Sequence, residues 1–384
     1  MATTKTAVAK PAVVKDLTWI KGALQTAIEL EFSTLPLYLS AMFSLEVQNY
    51  TAYNVIRSVV MEEMVHMAIV SNMLAALGGT PQLKGIKVTY PTAGLPGGAE
   101  PDLYVGLAPY SKNQLKNFMR IEIPQFLLDD LELPEKYPTI AVFYQGIRTA
   151  IKKNADAVTA AVKKGGTSNQ VGDDIGFSTF SYQQGKNPVK MLCAGLEEIL
   201  EQGEGASAED LVTRSGYEYE ESHYAKFASL YFGASYQKPK KIRKITKKNE
   251  AKFFKGNPIT PPVSVNTLTV PTDGYAKILA LDPNGPQVGA ALLAFDNAFS
   301  SMLATLDTVW NGPAPTSWKS LGAAVHGMVD FRVLSCFNIM HSQIPVAIIQ
   351  QLPTLYPQEI KFLGTYTDLS KPVFYGPRFV NTNV

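Results

Sequence analysis

RSVVMEEMVHMAIVSNMLAALGG, residues 57 to 79, has the length and apolar content of a core helix, yet its middle turns carry two adjacent glutamates and a histidine. At helical spacing Val59, Glu63, His66, Val70, Met73 and Leu77 fall on one stripe, and Glu62 falls to its side. Glu63 and His66 therefore point where the core residues point. Burying an ionised carboxylate without a partner costs on the order of several kcal/mol. Glu63 must be protonated, paired with a cation or bound to a metal, and no Lys or Arg lies nearby on the stripe. A neutral imidazole at His66 compensates little of that charge. The helix is expected to span 51 to 77 and to stop at Gly78, Gly79 and Pro81.

Upstream, Ile20, Leu24, Ala27, Ile28, Leu35, Tyr38, Met42 and Leu45 predict a long helix from Asp16, its N-cap, to about Gln48, with Pro36 removing one backbone donor inside it. Its core stripe runs through Glu31, whereas Glu29 lies on another face. The short connection makes the two helices antiparallel neighbours. Residues 81 to 110, including YPTAGLPGGAEPD, read as an irregular surface excursion. Helical periodicity returns near Ser111, from Pro138 to Lys164, from Val189 to Gln202 and from Ser215 to Tyr231.

The last of these segments, in YEYEESHYAKF, places Glu220 three residues before His223 and so repeats the Glu63-x-x-His66 arrangement. A Glu-x-x-His pair on each of two helices, with single glutamates from two more, is the ligand pattern of a four-helix bundle holding two iron or manganese ions. Oxygen and imidazole donors suit those metals, and two cysteines cannot build a thiolate-rich site. For the remaining glutamate two candidates stand. Glu122 follows Leu115 and Phe118 on an apolar stripe, and Glu204 lies between Gly203 and Gly205, which let the backbone aim it inward. Glu197, Glu198 and Glu201 read as a solvated face. Glu31, Glu63 and His66 are expected to hold one metal, and Glu204 or Glu122 with Glu220 and His223 the other. His326 and His341 lack a glutamate three residues before them and stay outside this set.

The bulk composition bounds the rest. Of 384 residues, 46% are hydrophobic and 18% charged, which excludes a disordered chain. A net charge of +2 gives no field that argues for nucleic acid or an anionic membrane. The N-terminus has no apolar region followed by a cleavage site, and no stretch approaches about 18 uninterrupted apolar residues, so the expectation is a soluble, cytoplasmic protein. The organisation read from these patterns is a disordered tail at 1–15 and a metal-binding bundle at 16–235. A basic and proline-rich linker or extended segment follows at 236–285, then a C-terminal helical region packed on the bundle at 286–384. The basic run KPKKIRKITKK reads as part of a solvated linker.

In this order, IELEFSTLPLYLSAMFSLE, EEMVHMAIVSNMLAALGGTP, RIEIP, FYQGI, EQGEG, SHYAKF and YGPRF resemble the ferritin-like family named for the iminophenylpyruvate dimer synthases of bisindole pigment pathways. The likeness runs over nearly the whole chain. It implies a mainly α-helical, ferritin-like four-helix bundle with a long loop-rich crossover, found in biosynthetic gene clusters and engaged in oxidative small-molecule chemistry. It supports Glu31, Glu63, His66, Glu204 and His223 as ligands, together with Glu122. Where an acid would be expected around the FYxxI stretch, the chain has Val142 and Gln145. The expected activity is that of a non-haem di-iron oxidase or oxygenase, with manganese as the alternative metal, using dioxygen on an aromatic or amino-acid-derived small molecule. The competing readings are a metal-storage protein and a metal-free interaction scaffold, with homo-oligomerisation left open.

Overall fold

Asp16 accepts the Trp19 amide at 2.9 Å and starts α1, Leu17–Phe43. In the computed structural model the described residues are 14–46, 50–128, 138–165, 170–171, 186–205, 207, 209–213, 220–312 and 317–384, without the side chains of residues 50, 165, 204, 317 and 318. Most of the expected N-terminal tail, residues 1–13, lies outside them. α1 runs unbroken through Pro36, and just before it the hydroxyls of Ser33 and Thr34 donate to the carbonyls of Leu30 and Glu31. α2, Tyr50–Ala76, lies along α1 and ends as its glycines dictate. Gly78 takes φ +70°, a left-handed conformation that costs glycine nothing, and its amide donates to Ala75. At Gly79 a Cβ would stand 2.3 Å from the Leu74 side chain.

The excursion after α2 is not wholly irregular. It contains an antiparallel hairpin of β1, Thr92–Leu95, and β2, Ala99–Val105, joined by the tight turn Pro96–Gly98. Gly94, Gly97 and Gly98 all take positive φ, which makes so short a turn possible in a stretch that composition alone marks as loop. α3, Lys112–Ile121, is capped by Ser111 and stops at Glu122 because Pro124 cannot continue it. After the single turn α4, Gln125–Leu128, the segment expected as one helix from 138 to 164 divides at Asn154 into α5, Ile140–Lys153, and α6, Ala155–Gly165. α7, Pro188–Glu204, and α8, His223–Phe232, complete the bundle. α5 packs on α7 and α3 on α8, and these two pairs close against α1 and α2.

From Ala234 the chain returns across the bundle as extended segments, with bridges from Ala234 to Pro258 and from Leu45 to Ser264, before the short α9, Ala276–Leu281. α10, Gly285–Asn311, and α11, Ser317–Val333, then form an antiparallel pair on the outer side of α1 and α2. There Phe32 stacks on Phe299 and the Trp310 indole donates to Asn72 at 2.9 Å. A π-helical turn, Leu334–Ile339, and the short helices α12, Val346–Ile349, α13, Leu352–Leu355, and α14, Ile360–Tyr366, lead to the C-terminal strand-like strap. Among the described residues two helices, α2 and α10, have the length and hydropathy of a membrane span. In α2 the apolar window is 72% buried within the fold, so packing accounts for its apolarity.

Beside backbone bridges at Phe374 and hydrogen bonds from Thr382 to Ser300, a buried ion pair fastens the strap. Arg378 Nη2 donates to Asp296 Oδ2 at 2.5 Å, and the Val380 amide donates to the other carboxylate oxygen at 3.1 Å. Asp296 is 1% exposed, and burial pushes its carboxyl up despite Arg378. Removing one partner of a buried pair leaves the other uncompensated. Arg378→Met is expected to lower the stability by about 3 kcal/mol, read from chemical denaturation, and a loss within experimental error would contradict this role.

Candidate metal centre

Five acidic and imidazole side chains converge between α1, α2, α7, α8 and the end of α3, all 7% exposed or less: Glu31, Glu63, His66, Glu122 and His223. Helix α2 supplies Glu63 and His66 from one stripe, α1 supplies Glu31, and α8 supplies His223 from its first position. Glu122 is the C-cap of α3, where the broken helix lets its carboxylate turn inward. Gly203 keeps space for it, since a Cβ there would lie 3.4 Å from Glu122 Oε2.

The arrangement has two matching halves. His66 Nδ1 lies 3.4 Å from Glu31 Oε2 and 3.9 Å from Glu63 Oε2. His223 Nδ1 lies 3.5 Å from Glu122 Oε2 and 2.8 Å from Glu63 Oε1. Glu63 thus presents one oxygen to each histidine, while Glu31 and Glu122 stand at the two ends. The rings are nearly parallel, with centres 5.3 Å apart. Each terminal carboxylate accepts a hydrogen bond from a buried tyrosine through its other oxygen, Glu31 from Tyr144 and Glu122 from Tyr38.

The outer nitrogens fix the tautomers. His223 Nε2 donates to Glu62 at 2.8 Å, and Glu62 is in turn held by Lys226 at 2.5 Å. His66 Nε2 donates to the Gln202 amide oxygen at 2.6 Å. A neutral imidazole that donates through Nε2 offers a lone pair at Nδ1, so each ring in its neutral form turns that lone pair toward the carboxylates. A histidine oriented through its second nitrogen in this way is the usual support of a metal ligand.

These donors fit divalent metal ions. His223 Nδ1 is buried without a hydrogen bond although Glu63 Oε1 is only 2.8 Å away, because the two atoms are not aligned for a proton. Glu63, His66 and His223 each offer an atom within 4.8 Å of the others. Three inner carboxylates bring three negative charges, and two divalent ions bring four positive ones. Without them the protons compensate. Burial, then the charges of Glu122 and Glu31, hold the Glu63 carboxyl well above the usual range. Burial opposes a charged His223, yet the Glu122, Glu62 and Glu63 carboxylates around it push it well above an ordinary histidine. Glu62 is the contrast: burial is overcome by His223 and Lys226, which bring it down to about 2.

Of the residues expected from the sequence, Glu31, Glu63, His66, Glu122 and His223 come together. Glu220 does not join them. Val212 and Glu221 form an extended bridge, and α8 begins only at His223 behind its cap Ser222, so Glu220 is off the helix and pairs with Lys226 at 2.8 Å. Residues 214–219 of the expected helix lie outside the described residues, as does the side chain of Glu204. Tyr224 donates to Glu250 and not to this cluster. His326 and His341 are exposed. Sequence reading missed Glu62, Gln202, Lys226 and Tyr144. Tyr144 lies between Val142 and Gln145, so the helix lacking an acid supplies a phenol in its place. Its signal was the apolar stripe of α5, on which Tyr144, Ile147 and Ile151 are fully buried.

Because Glu63 and His223 hold protons that an ion would replace, anaerobic addition of ferrous or manganous ion to chelator-treated protein is expected to raise its melting temperature and to release protons at pH 7. Tyr38→Phe and Tyr144→Phe are each expected to weaken that metal affinity by about 10- to 100-fold with the fold retained. No thermal shift and no proton release would contradict the assignment.

A small cavity of about 30 Å³ adjoins the cluster, walled by Leu30, Ile121, Ile140, Ile199 and Leu200. Comparison with known proteins gives the same architecture. A ferritin-like protein from Caulobacter vibrioides superposes with a TM-score of 0.54 at 17% identity, covering 85% of this chain and 98% of that one. No curated protein matches the sequence. The ferritin-like family profile matches residues 24–232, which include most of α1, all of α2 and α8 and every member of the cluster, and the chain belongs to the ferritin-like family.

Proposed function

We propose that the chain is a dinuclear non-haem metal oxidase or oxygenase acting on an aromatic or amino-acid-derived small molecule, of the iminophenylpyruvate dimer synthase type, with two iron ions as its cofactor. The observation that carries this reading is the pair of matching half-sites sharing Glu63. When bound, the ions would supply the binding and reduction of dioxygen that protein side chains cannot perform. The side chains themselves do four things. Glu31, Glu63, His66, Glu122 and His223 would hold the ions. Tyr38 and Tyr144 fix the terminal carboxylates, and their own protons are held because burial, then carboxylate charge, push both phenols well above 10. Gln202 and the Glu62 and Lys226 pair orient the imidazoles. The isoleucine and leucine wall keeps bulk water from the centre.

Manganese satisfies the same donors. A second reading, metal handling without an organic substrate, has one observation in its favour: the 30 Å³ beside the cluster accommodates a molecule the size of water or dioxygen. An aromatic substrate would therefore react from the mouth of this cavity.

Ferrous-loaded protein mixed with oxygenated buffer, followed with an oxygen electrode, separates the readings. Uptake is expected to stop after about one dioxygen per chain alone and to turn over when an aromatic amino acid or its 2-oxo or imino derivative is accepted. His223→Ala is expected to remove uptake and to halve the bound iron. Uptake that scales with added iron and ignores every organic compound would favour the second reading. Unchanged turnover in His223→Ala would exclude both.

A further inference from the structure

A roomier cavity than the one beside the metal cluster lies elsewhere in the described residues. A cavity of about 280 Å³ lies between α1, α2, α10 and α11. It opens on the outer side of the α1 and α2 layer. On α1 Phe32 and Leu39, which line it, lie roughly a quarter of a turn from Glu31 and Tyr38, and on α2 Arg57 and Met64 lie roughly a third of a turn or more from Glu63 and His66. It shares no lining residue with the cavity beside the cluster.

Its lining has two chemistries. The interior is sulfur and aromatic, with Met61, Met64, Met302 and Met328 set among Phe299 and Phe331. Thioethers make favourable contacts with ring edges and adapt to irregular shapes. The cavity also has two arginines, Arg57 and Arg332, and neither is ion-paired with a carboxylate among the described residues. Arg332 stands 5.1 Å from the centre of the Tyr53 ring, and Tyr53 is one turn from Arg57 on α2, so both guanidinium groups come to the same side. Two cations without acids beside an apolar cavity complement an anion with an apolar body, and the guanidinium fork matches a carboxylate in particular. A volume near the low end for ligand pockets admits a ring or fused ring pair on a short tail.

We propose that this cavity is a binding site for an aromatic carboxylate, separate from the metal centre, with Arg57 and Arg332 receiving the anion and the methionine and phenylalanine lining receiving the ring. Val329 is 60% exposed and forms part of the rim. The proposal does not depend on the metal reading.

Titration calorimetry with 2-naphthylacetate and its uncharged analogue 2-(2-naphthyl)ethanol tests it. The acid is expected to bind one to one and the alcohol at least tenfold more weakly. Arg57→Gln with Arg332→Gln is expected to bring the acid down to the affinity of the alcohol without changing the melting temperature. Val329→Trp, at the exposed rim, is expected to weaken both ligands. Chelator-treated protein is expected to bind the acid as tightly as metal-loaded protein. Failure of the acid to bind, equal affinity for acid and alcohol, no effect of the double arginine variant, or loss of binding on metal removal would each overturn the proposal.

Discussion

Mutual repulsion among Glu31, Glu63 and Glu122, three carboxylates shut inside a bundle of hydrophobic helices, is the constraint to which the neighbouring features answer. Carboxylates this close cannot all ionise without positive charge between them. No lysine or arginine enters that point, because Lys226 is engaged one step outward with Glu62 and Glu220. Two imidazoles stand there instead, each turned inward by a hydrogen bond at the far side of the ring. Such an arrangement is costly as a core and coherent as a cradle for divalent ions.

The scaffold keeps the cradle in register by different means at different points. α1 and α2 are long, regular and buried, and they deliver Glu31, Glu63 and His66 by helical phase alone. The other half relies on helix ends. Glu122 sits where Pro124 stops α3, His223 where Ser222 starts α8, and Gly203 in the last turn of α7. Residues at helix termini are aimed by caps and breaks, which makes that half depend on local chemistry over a few residues. The tyrosines equalise the two halves, since each terminal carboxylate receives one phenol from a neighbouring helix.

This difference explains what could be read from the amino-acid sequence. The helical bundle, Glu31, Glu63 and His66 follow from apolar periodicity, because polar residues on a core stripe demand a reason. His223 was found by its spacing to Glu220, but that spacing implied a continuous helix that the bridge between Val212 and Glu221 prevents. Glu122 was legible from the stripe through Leu115 and Phe118. Glu62 and Gln202 were not legible. Their role depends on which helix lies across from them, a tertiary fact with no local trace. The hairpin at 92–105 was hidden for a related reason: glycine and proline mark a turn without stating whether strands flank it.

The C-terminal region completes the molecule by covering the outer face of α1 and α2, and its closing strap is tied to α10 through Arg378 and Asp296. Helices that present acids on one face must bury apolar side chains on the other, and α10 and α11 provide that burial. The central claim, that the acidic cluster exists to bind two divalent ions, is tested most directly by anomalous diffraction from a crystal of iron-loaded protein at the iron absorption edge. The account predicts two peaks, one between Glu31, His66 and Glu63 and one between Glu63, His223 and Glu122. A well-ordered cluster with no anomalous peak, or with iron only elsewhere on the protein, would contradict it.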